Sequence, residues 1–146
     1  MANVVPNAFK GELLSGTHNF ASGGDGFKLA LYTSNPYTTS STAYSSGAGN
    51  EVSGSAAGYS TGGSALTSQA VASSTTTASV DFANLTFSSA TFSAAFGAIY
   101  NDDKSDKLVV ILDFGGTKTA TNGDFTIAFP DPVSYTHLTL PTNREV

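Results

Sequence analysis

Nucleophilic hydrolysis needs a serine, threonine or cysteine beside a base that can take its proton. The chain has no cysteine and 2 histidines, His18 and His137. His137 falls in a C-terminal segment set aside below, which leaves His18, in Thr17-His18-Asn19-Phe20, as the base for such chemistry. None of the serines stands in a Gly-x-Ser-x-Gly elbow followed by a helix, so His18 reads as a surface or loop-packing residue. Glycosidase chemistry needs two carboxyl groups facing each other across a cleft. Asp81, Asp113, Asp124 and Asp131 are the acids available in the second half, and their spacing sets no two of them opposite each other. Asp113, just before Gly115-Gly116, reads as a turn-capping acid at a strand end.

Two further patterns touch metal and phosphate chemistry. Asp102, Asp103 and Asp106 place hard oxygen donors in one turn, which is calcium chemistry, but they do not follow the Asp-x-Asp-x-Asp-Gly spacing with a late Glu. A solvated turn is the favoured reading, and no metal or cofactor is assigned. Gly23-Gly24-Asp25-Gly26 has the glycine density of a phosphate-cradling loop, yet such loops open a helix and these glycines precede a strand pattern. They read as a flexible turn. Tyr37, Tyr44 and Tyr59 fall in a loop-rich stretch where exposed tyrosines could recognise sugar or protein and buried ones could anchor loops. Anchoring is the favoured role, so no binding residue is claimed.

The elements that must position these side chains are strands. With 40% hydrophobic residues but only 12% charged ones, polarity comes from Ser, Thr, Asn and Gly, which favour strands and turns. Val5, Phe9 and Leu13 recur at a spacing of four between Pro6 and Gly16, the pattern of one short N-terminal helix. Phe27, Leu29 and Leu31 alternate as in a half-buried strand. Residues 33 to 77 read as long loops and short strands anchored by Tyr37, Tyr44, Val52, Tyr59 and Leu66. Four strand-like runs follow: Val80 to Phe87, Phe92 to Tyr100, Leu108 to Phe114 and Phe125 to Phe129. The turns Asn101 to Asp106, Gly115-Gly116 and Thr121 to Asp124 separate the later ones. The unbroken apolar run Leu108-Val109-Val110-Ile111-Leu112 predicts a central strand covered on both faces, with Leu108, Val110, Leu112 and Phe114 facing one way and Val109 and Ile111 the other. Seven or eight short strands with little helix predict an all-β fold, an antiparallel β-sandwich or jelly roll with a short N-terminal helix. The length of 146 residues suits one domain.

Charge narrows the partners. Six Lys and Arg against 11 Asp and Glu give a net charge of -5. The cations Lys10, Lys28, Lys104, Lys107, Lys118 and Arg144 are scattered, whereas a phosphate backbone needs them concentrated, so no nucleic-acid partner is expected. No apolar run approaches the roughly 20 residues of a membrane-spanning helix, so no membrane partner is expected either. The N-terminus lacks the basic start and apolar stretch of a secretory signal. The absence of cysteine suits assembly in a reducing cytoplasm.

The ordered series Phe27-Lys28-Leu29-Ala30-Leu31-Tyr32-Thr33, Thr42-Ala43-Tyr44, Glu51-Val52-Ser53-Gly54, Gly58-Tyr59, Gly62-Gly63, Gly97-Ala98-Ile99-Tyr100-Asn101, Leu112-Asp113-Phe114-Gly115 and Gly123-Asp124-Phe125-Thr126-Ile127 resembles a family of small structural proteins of tailed bacteriophages. The resemblance runs from about Val4 to Pro130. It implies a non-catalytic virion component, such as a capsid decoration or cement subunit or a tail-associated protein, assembled in the host cytoplasm. Such a subunit would dock on other virion proteins as a homo-oligomer or on a lattice, with no catalytic, cofactor-binding or metal residues to carry over. The rival reading is a soluble carbohydrate- or receptor-binding β-sandwich module, which calls for an exposed aromatic platform or a calcium site. The segment Ser134-Tyr135-Thr136-His137-Leu138-Thr139-Leu140-Pro141-Thr142-Asn143-Arg144-Glu145-Val146 resembles the translation of a sequencing adapter found in assembled metagenomic reads. The expected organisation is therefore one β-sandwich domain over residues 1–132 and a non-native tail over residues 133–146.

Overall fold

Pro6 fixes its own φ at -59° and opens α1 (Asn7–Leu14), which ends at Ser15 before Gly16 turns to φ 76°. Five of the strands are antiparallel partners of their sequence or spatial neighbours: β1 (Phe27–Tyr32), β2 (Ser64–Ala65), β3 (Ala70–Ser73), β4 (Ala78–Asp81) and β5 (Leu85–Asn101). The sixth, β6 (Lys107–Ile127), completes the set. This computed structural model describes residues 3–46 and 49–129. The order β2-β1-β5-β6 makes one antiparallel sheet, and β3-β4 a separate hairpin. The architecture is all-β and antiparallel with one short N-terminal helix, as the composition and patterning require.

The strands are fewer and longer than expected. Val80 to Phe87 divides between β4 and the start of β5, and Phe92 to Tyr100 continues that same β5, 17 residues long. Leu108 to Phe114 and Phe125 to Ile127 are likewise one strand, the 21-residue β6. The Gly115-Gly116 and Thr121 to Asp124 turns are thus irregularities inside a strand. Phe96 pairs with Asp113 and Ala94 with Lys118, so Ala95 alone stands opposite Phe114, Gly115, Gly116 and Thr117. Gly115 and Gly116 carry this excursion at φ 78° and 143°, values that side chains rarely tolerate. Smaller bulges sit at Ser89, φ 52°, and Asn122, φ 50°. The long hairpin bends at these points and folds over itself, bringing the rings of Phe114 and Phe125 to 6.4 Å.

Two apolar layers result. One joins Phe9, Phe20, Phe27, Leu29, Leu31, Val80, Phe82, Phe87, Phe92, Ile99, Val110, Leu112, Phe125 and Ile127, with Phe129 against it. The aromatics of both ends of the β5-β6 hairpin therefore share one core with Phe82, the register read from the sequence. On the opposite face Ala30, Tyr32, Tyr37, Ala98, Tyr100, Leu108 and Ile111 form the second layer. Both faces of the sheet are covered, so Leu108 to Phe114 is buried throughout.

Two expectations for that run need correction. Leu108 and Ile111 share one layer while Val109, Val110, Leu112 and Phe114 share the other. Tyr100 pairs with Leu108 and Ile99 with Val110, which leaves Val109 as an extra residue whose bulge switches the alternation. The strand is also last in the sheet order, not central. Its outer edge there is covered by irregular chain: Val4 and Ile111 exchange two backbone hydrogen bonds of 2.9 and 2.8 Å, and Leu108 N–H donates to the Thr42 carbonyl at 3.0 Å. Beyond Asp113, no strand among the described residues pairs with the outer edge of β6.

Candidate functional site

The end of α1, the loop before β1 and the turn between β5 and β6 meet around His18. Its side chain is fully buried, and both ring nitrogens are engaged. Asn101 Nδ2 lies 2.9 Å from His18 Nδ1, and Glu12 Oε1 lies 3.2 Å from Nε2. An amide nitrogen can only donate, so Nδ1 accepts and the ring carries its proton on Nε2, which donates to Glu12. Asn101, also fully buried, donates its second hydrogen to Asp25 Oδ2 at 2.9 Å and accepts from Asp103 N–H at 3.1 Å. Every polar group of this asparagine is therefore used. Burial alone would raise the Glu12 and Asp25 carboxyls. Hydrogen bonds from Lys107 and His18 hold Glu12 below its usual range, and those from Asn101 and the Asn19 backbone do the same for Asp25.

This arrangement fixes a loop-packing histidine in place and offers no nitrogen to a serine. Gly58-Tyr59-Ser60-Thr61-Gly62 has the letters of a nucleophile elbow, a signal the sequence reading passed over. No helix follows it: the segment turns at Gly62, φ 93°, and Gly63, φ 77°, into the short β2. A strand-to-helix step is what exposes and activates an elbow serine, and Ser60 has none.

The acidic turn is partly spent on the same assembly. Asp103 Oδ2 accepts Gly26 N–H at 2.7 Å, and Asp102 lies 3.4 Å from Lys28 Nζ. Burial raises the Asp106 carboxyl, and the neighbouring charge of Asp102 raises it further. Among the described residues no three His, Cys, Asp or Glu side chains are gathered as a metal would need. Gly23 to Gly26 is a turn tied down by Asp25, whose carboxylate takes Asn19 N–H at 2.8 Å.

Tyrosines of both layers, Tyr59 of the first and Tyr44 of the second, converge on Glu51, which the sequence places only within a motif. Its carboxylate accepts Tyr59 OH at 2.7 Å, Gly62 N–H at 2.7 Å and Tyr44 OH at 3.0 Å. Tyr59 OH in turn accepts Leu31 N–H at 3.0 Å, and Tyr100 OH donates to the Gly62 carbonyl at 2.6 Å. Tyr44 stacks on Tyr100 with ring centres 4.4 Å apart, and Tyr32 and Tyr37 join hydroxyls at 2.8 Å. Tyr37 and Tyr59 are buried and Tyr44 half-buried. Their geometry is that of anchors: the hydroxyls of Tyr37 and Tyr59 reach β1 at Tyr32 and Leu31, and that of Tyr44 ties its loop to Glu51.

Asp113 accepts Gly115 N–H at 2.8 Å and so braces the excursion at Gly115-Gly116, but it lies inside β6 and not at the strand end that was expected. Asp81 lies half-buried at the end of β4, Asp124 is exposed on β6, and Asp131 lies outside the described residues, as does the whole segment from Ser134 to Val146.

On the bent half of the β5-β6 hairpin most outward side chains carry hydroxyls. Thr86, Ser88 and Thr91 of β5 and Thr117, Thr119 and Thr121 of β6 are exposed. Thr86 meets Thr126 at 3.0 Å and Ser93 meets Thr119 at 2.7 Å, hydroxyl to hydroxyl across the strands. Lys118 and Asp124 are the two charged residues between Gly115 and Ile127. Comparison with known proteins returns no matching family model, no similar curated protein and no similar solved structure.

Proposed function

We propose that this chain is a non-catalytic structural protein of a tailed-phage virion, a decoration, cement or tail-associated subunit that works by presenting surface. The observation that carries the reading is the division of its polar groups. His18, Asn101, Glu12, Asp25 and Glu51, the groups able to do chemistry, are consumed in holding loops to the sheet. The exposed face of the bent hairpin is left as a hydroxyl-rich surface with one lysine and one exposed aspartate. Hydroxyls that find hydrogen-bond partners on docking are desolvated at far lower cost than charges, and polyvalent display on a symmetric lattice turns weak single contacts into durable ones. The ordered motif series from Phe27 to Ile127 supports the same class.

A carbohydrate-binding module calls for outward aromatic rings, and the tyrosines of the loop half turn inward instead. The test is to read the genes that neighbour this one and to co-express the chain with any capsid and tail genes among them, followed by particle purification and mass spectrometry. Stoichiometric presence in particles is the expected result. A neighbourhood without virion genes, or particles that exclude the protein, would overturn the proposal.

A further inference from the structure

Asn122-Gly123 is the one Asn-Gly step in the chain, and the fold places it at the bulge of β6 opposite Thr91. Asn122 is exposed and sits at φ 50°. Ala90 pairs with Gly123 and Phe92 with Ala120, so Thr121 and Asn122 together face Thr91 and the regular ladder is interrupted there. Asn122 N–H donates to Thr91 Oγ1 at 3.0 Å, and that hydroxyl donates to the side-chain carbonyl Asn122 Oδ1 at 3.4 Å. A β-carbon added at Gly123 would meet no atom closer than the Thr121 carbonyl oxygen at 3.7 Å, so alanine fits there without a clash.

We infer that Asn122-Gly123 is a self-modifying site, at which the folded chain converts a neutral carboxamide into a carboxylate. The Gly123 backbone nitrogen attacks Asn122 Cγ, forming a five-membered succinimide. The carboxamide C–N bond breaks, and ammonia leaves with the proton from the Gly123 nitrogen. Water then opens the ring at either carbonyl and leaves aspartate or isoaspartate. Negative charge develops on Oδ1 in the tetrahedral step, where Thr91 Oγ1 already donates, and a long ground-state contact of this kind tightens as charge grows. Glycine is required at the second position because a side chain there crowds the attacking nitrogen. The product places a new negative charge beside Thr91 and Thr121 on the hydroxyl face, and the isoaspartate form adds a backbone atom at the bulge.

The test is incubation of the full folded chain at neutral pH, with peptide mapping for a gain of about one mass unit at Asn122 and assay for isoaspartate. Mass gain confined to that step is expected. Thr91→Val removes the donor at an exposed position and should slow conversion about three- to tenfold, a modest fraction of the loss seen at enzyme oxyanion holes. Thr91→Ser should retain the rate. Gly123→Ala, whose methyl group has room, should suppress conversion while leaving the thermal midpoint unchanged. No mass gain in the folded chain would overturn the inference, as would an equal rate in Thr91→Val or an undiminished rate in Gly123→Ala.

Discussion

The end of the sheet near Asn101 and the bent half of the β5-β6 hairpin are built on opposite principles. Near Asn101, loops with few apolar residues are held by polar groups that satisfy one another: His18 with Glu12 and Asn101, Asn101 with Asp25 and Asp103. In the bent hairpin, Phe87, Phe92, Phe114 and Phe125 fill the inside and hydroxyls the outside, with ring centres 5.0 Å apart for Phe92 and Phe125. The contrast shows where each kind of residue is committed. Titratable groups gather at the first end, where they tie loops down beside the rings of Phe9 and Phe20, and the outer face of the bent hairpin carries hydroxyls in their place.

The core shared by both regions is the point of greatest vulnerability. Val110 is 2% exposed and packs with Leu112, Ile99 and Leu29. Val110→Asp would bury a charge with no partner, at a cost of about 4 kcal/mol or more, and should prevent folding. Loss of the cooperative thermal transition by circular dichroism is the expected outcome. A folded variant would show that this layer tolerates water.

Next comes the polar end. His18→Ala should destabilise by about 2–3 kcal/mol, because it opens a cavity beside Phe9 and Phe20 and strands the inward groups of Glu12 and Asn101. If the proposed virion role holds, particle incorporation of the surviving folded protein should be unchanged. Glu51→Gln should cost about 2 kcal/mol in the same thermal assay, since an amide cannot accept from Tyr44, Tyr59 and Gly62 together. A neutral effect of both variants would mean that the loops are held by packing alone and that the two regions do not differ in principle.

The legible part of this fold is the part written in period. Phe27, Leu29 and Leu31 mark the place of β1, although Ala30 and Tyr32 bury its second face too and the strand is not half-buried. Pro6 and Gly16 bracket α1, and the aromatics Phe82, Phe87, Phe92 and Phe125 announce one core. What the pattern missed was continuity. Gly115-Gly116 and Thr121 to Asp124 look like turns, because the same positive-φ residues that end strands also build bulges within them. The parity change at Val109 left no mark, since every residue around it is apolar. The His18 and Glu51 networks were equally hidden: Glu12, His18, Asp25 and Asn101 are scattered over the chain, and only topology brings them together.

Titration separates the regions without mutation. Burial pushes the hydroxyls of Tyr32, Tyr44, Tyr59 and Tyr100 well above the ordinary tyrosine range. The unfolded chain releases these protons from about pH 10, while the folded chain keeps them. The unfolded state then binds fewer protons, so stability is full below about pH 10 and falls as pH rises, by about 1.4 kcal/mol per unit for each such tyrosine. Glu12 and Asp25 act in the opposite sense: their lowered values give stability that is present above the unfolded carboxyl range and lost as pH falls below about 4. Denaturant unfolding across pH should show both limbs. Tyr44→Phe should shallow the alkaline one, and an unchanged alkaline slope would place the Tyr44 hydroxyl in solvent.

The smallest effect on stability should fall on the hydroxyl face, and it discriminates most sharply between structural and functional roles. Ser93 and Thr119 form a cross-strand pair at 2.7 Å on a surface reached by water. Removing both hydroxyls with Ser93→Ala and Thr119→Val exchanges one solvated hydrogen bond for water contacts and raises β-propensity at Thr119, so the net change should stay within about 0.5 kcal/mol. If this face carries the docking surface, the same double variant should lose particle incorporation while its melting curve overlays the parent's. The reverse pattern, a clear loss of stability with incorporation intact, would make the hydroxyl ladder an internal support of the hairpin and move the docking surface elsewhere.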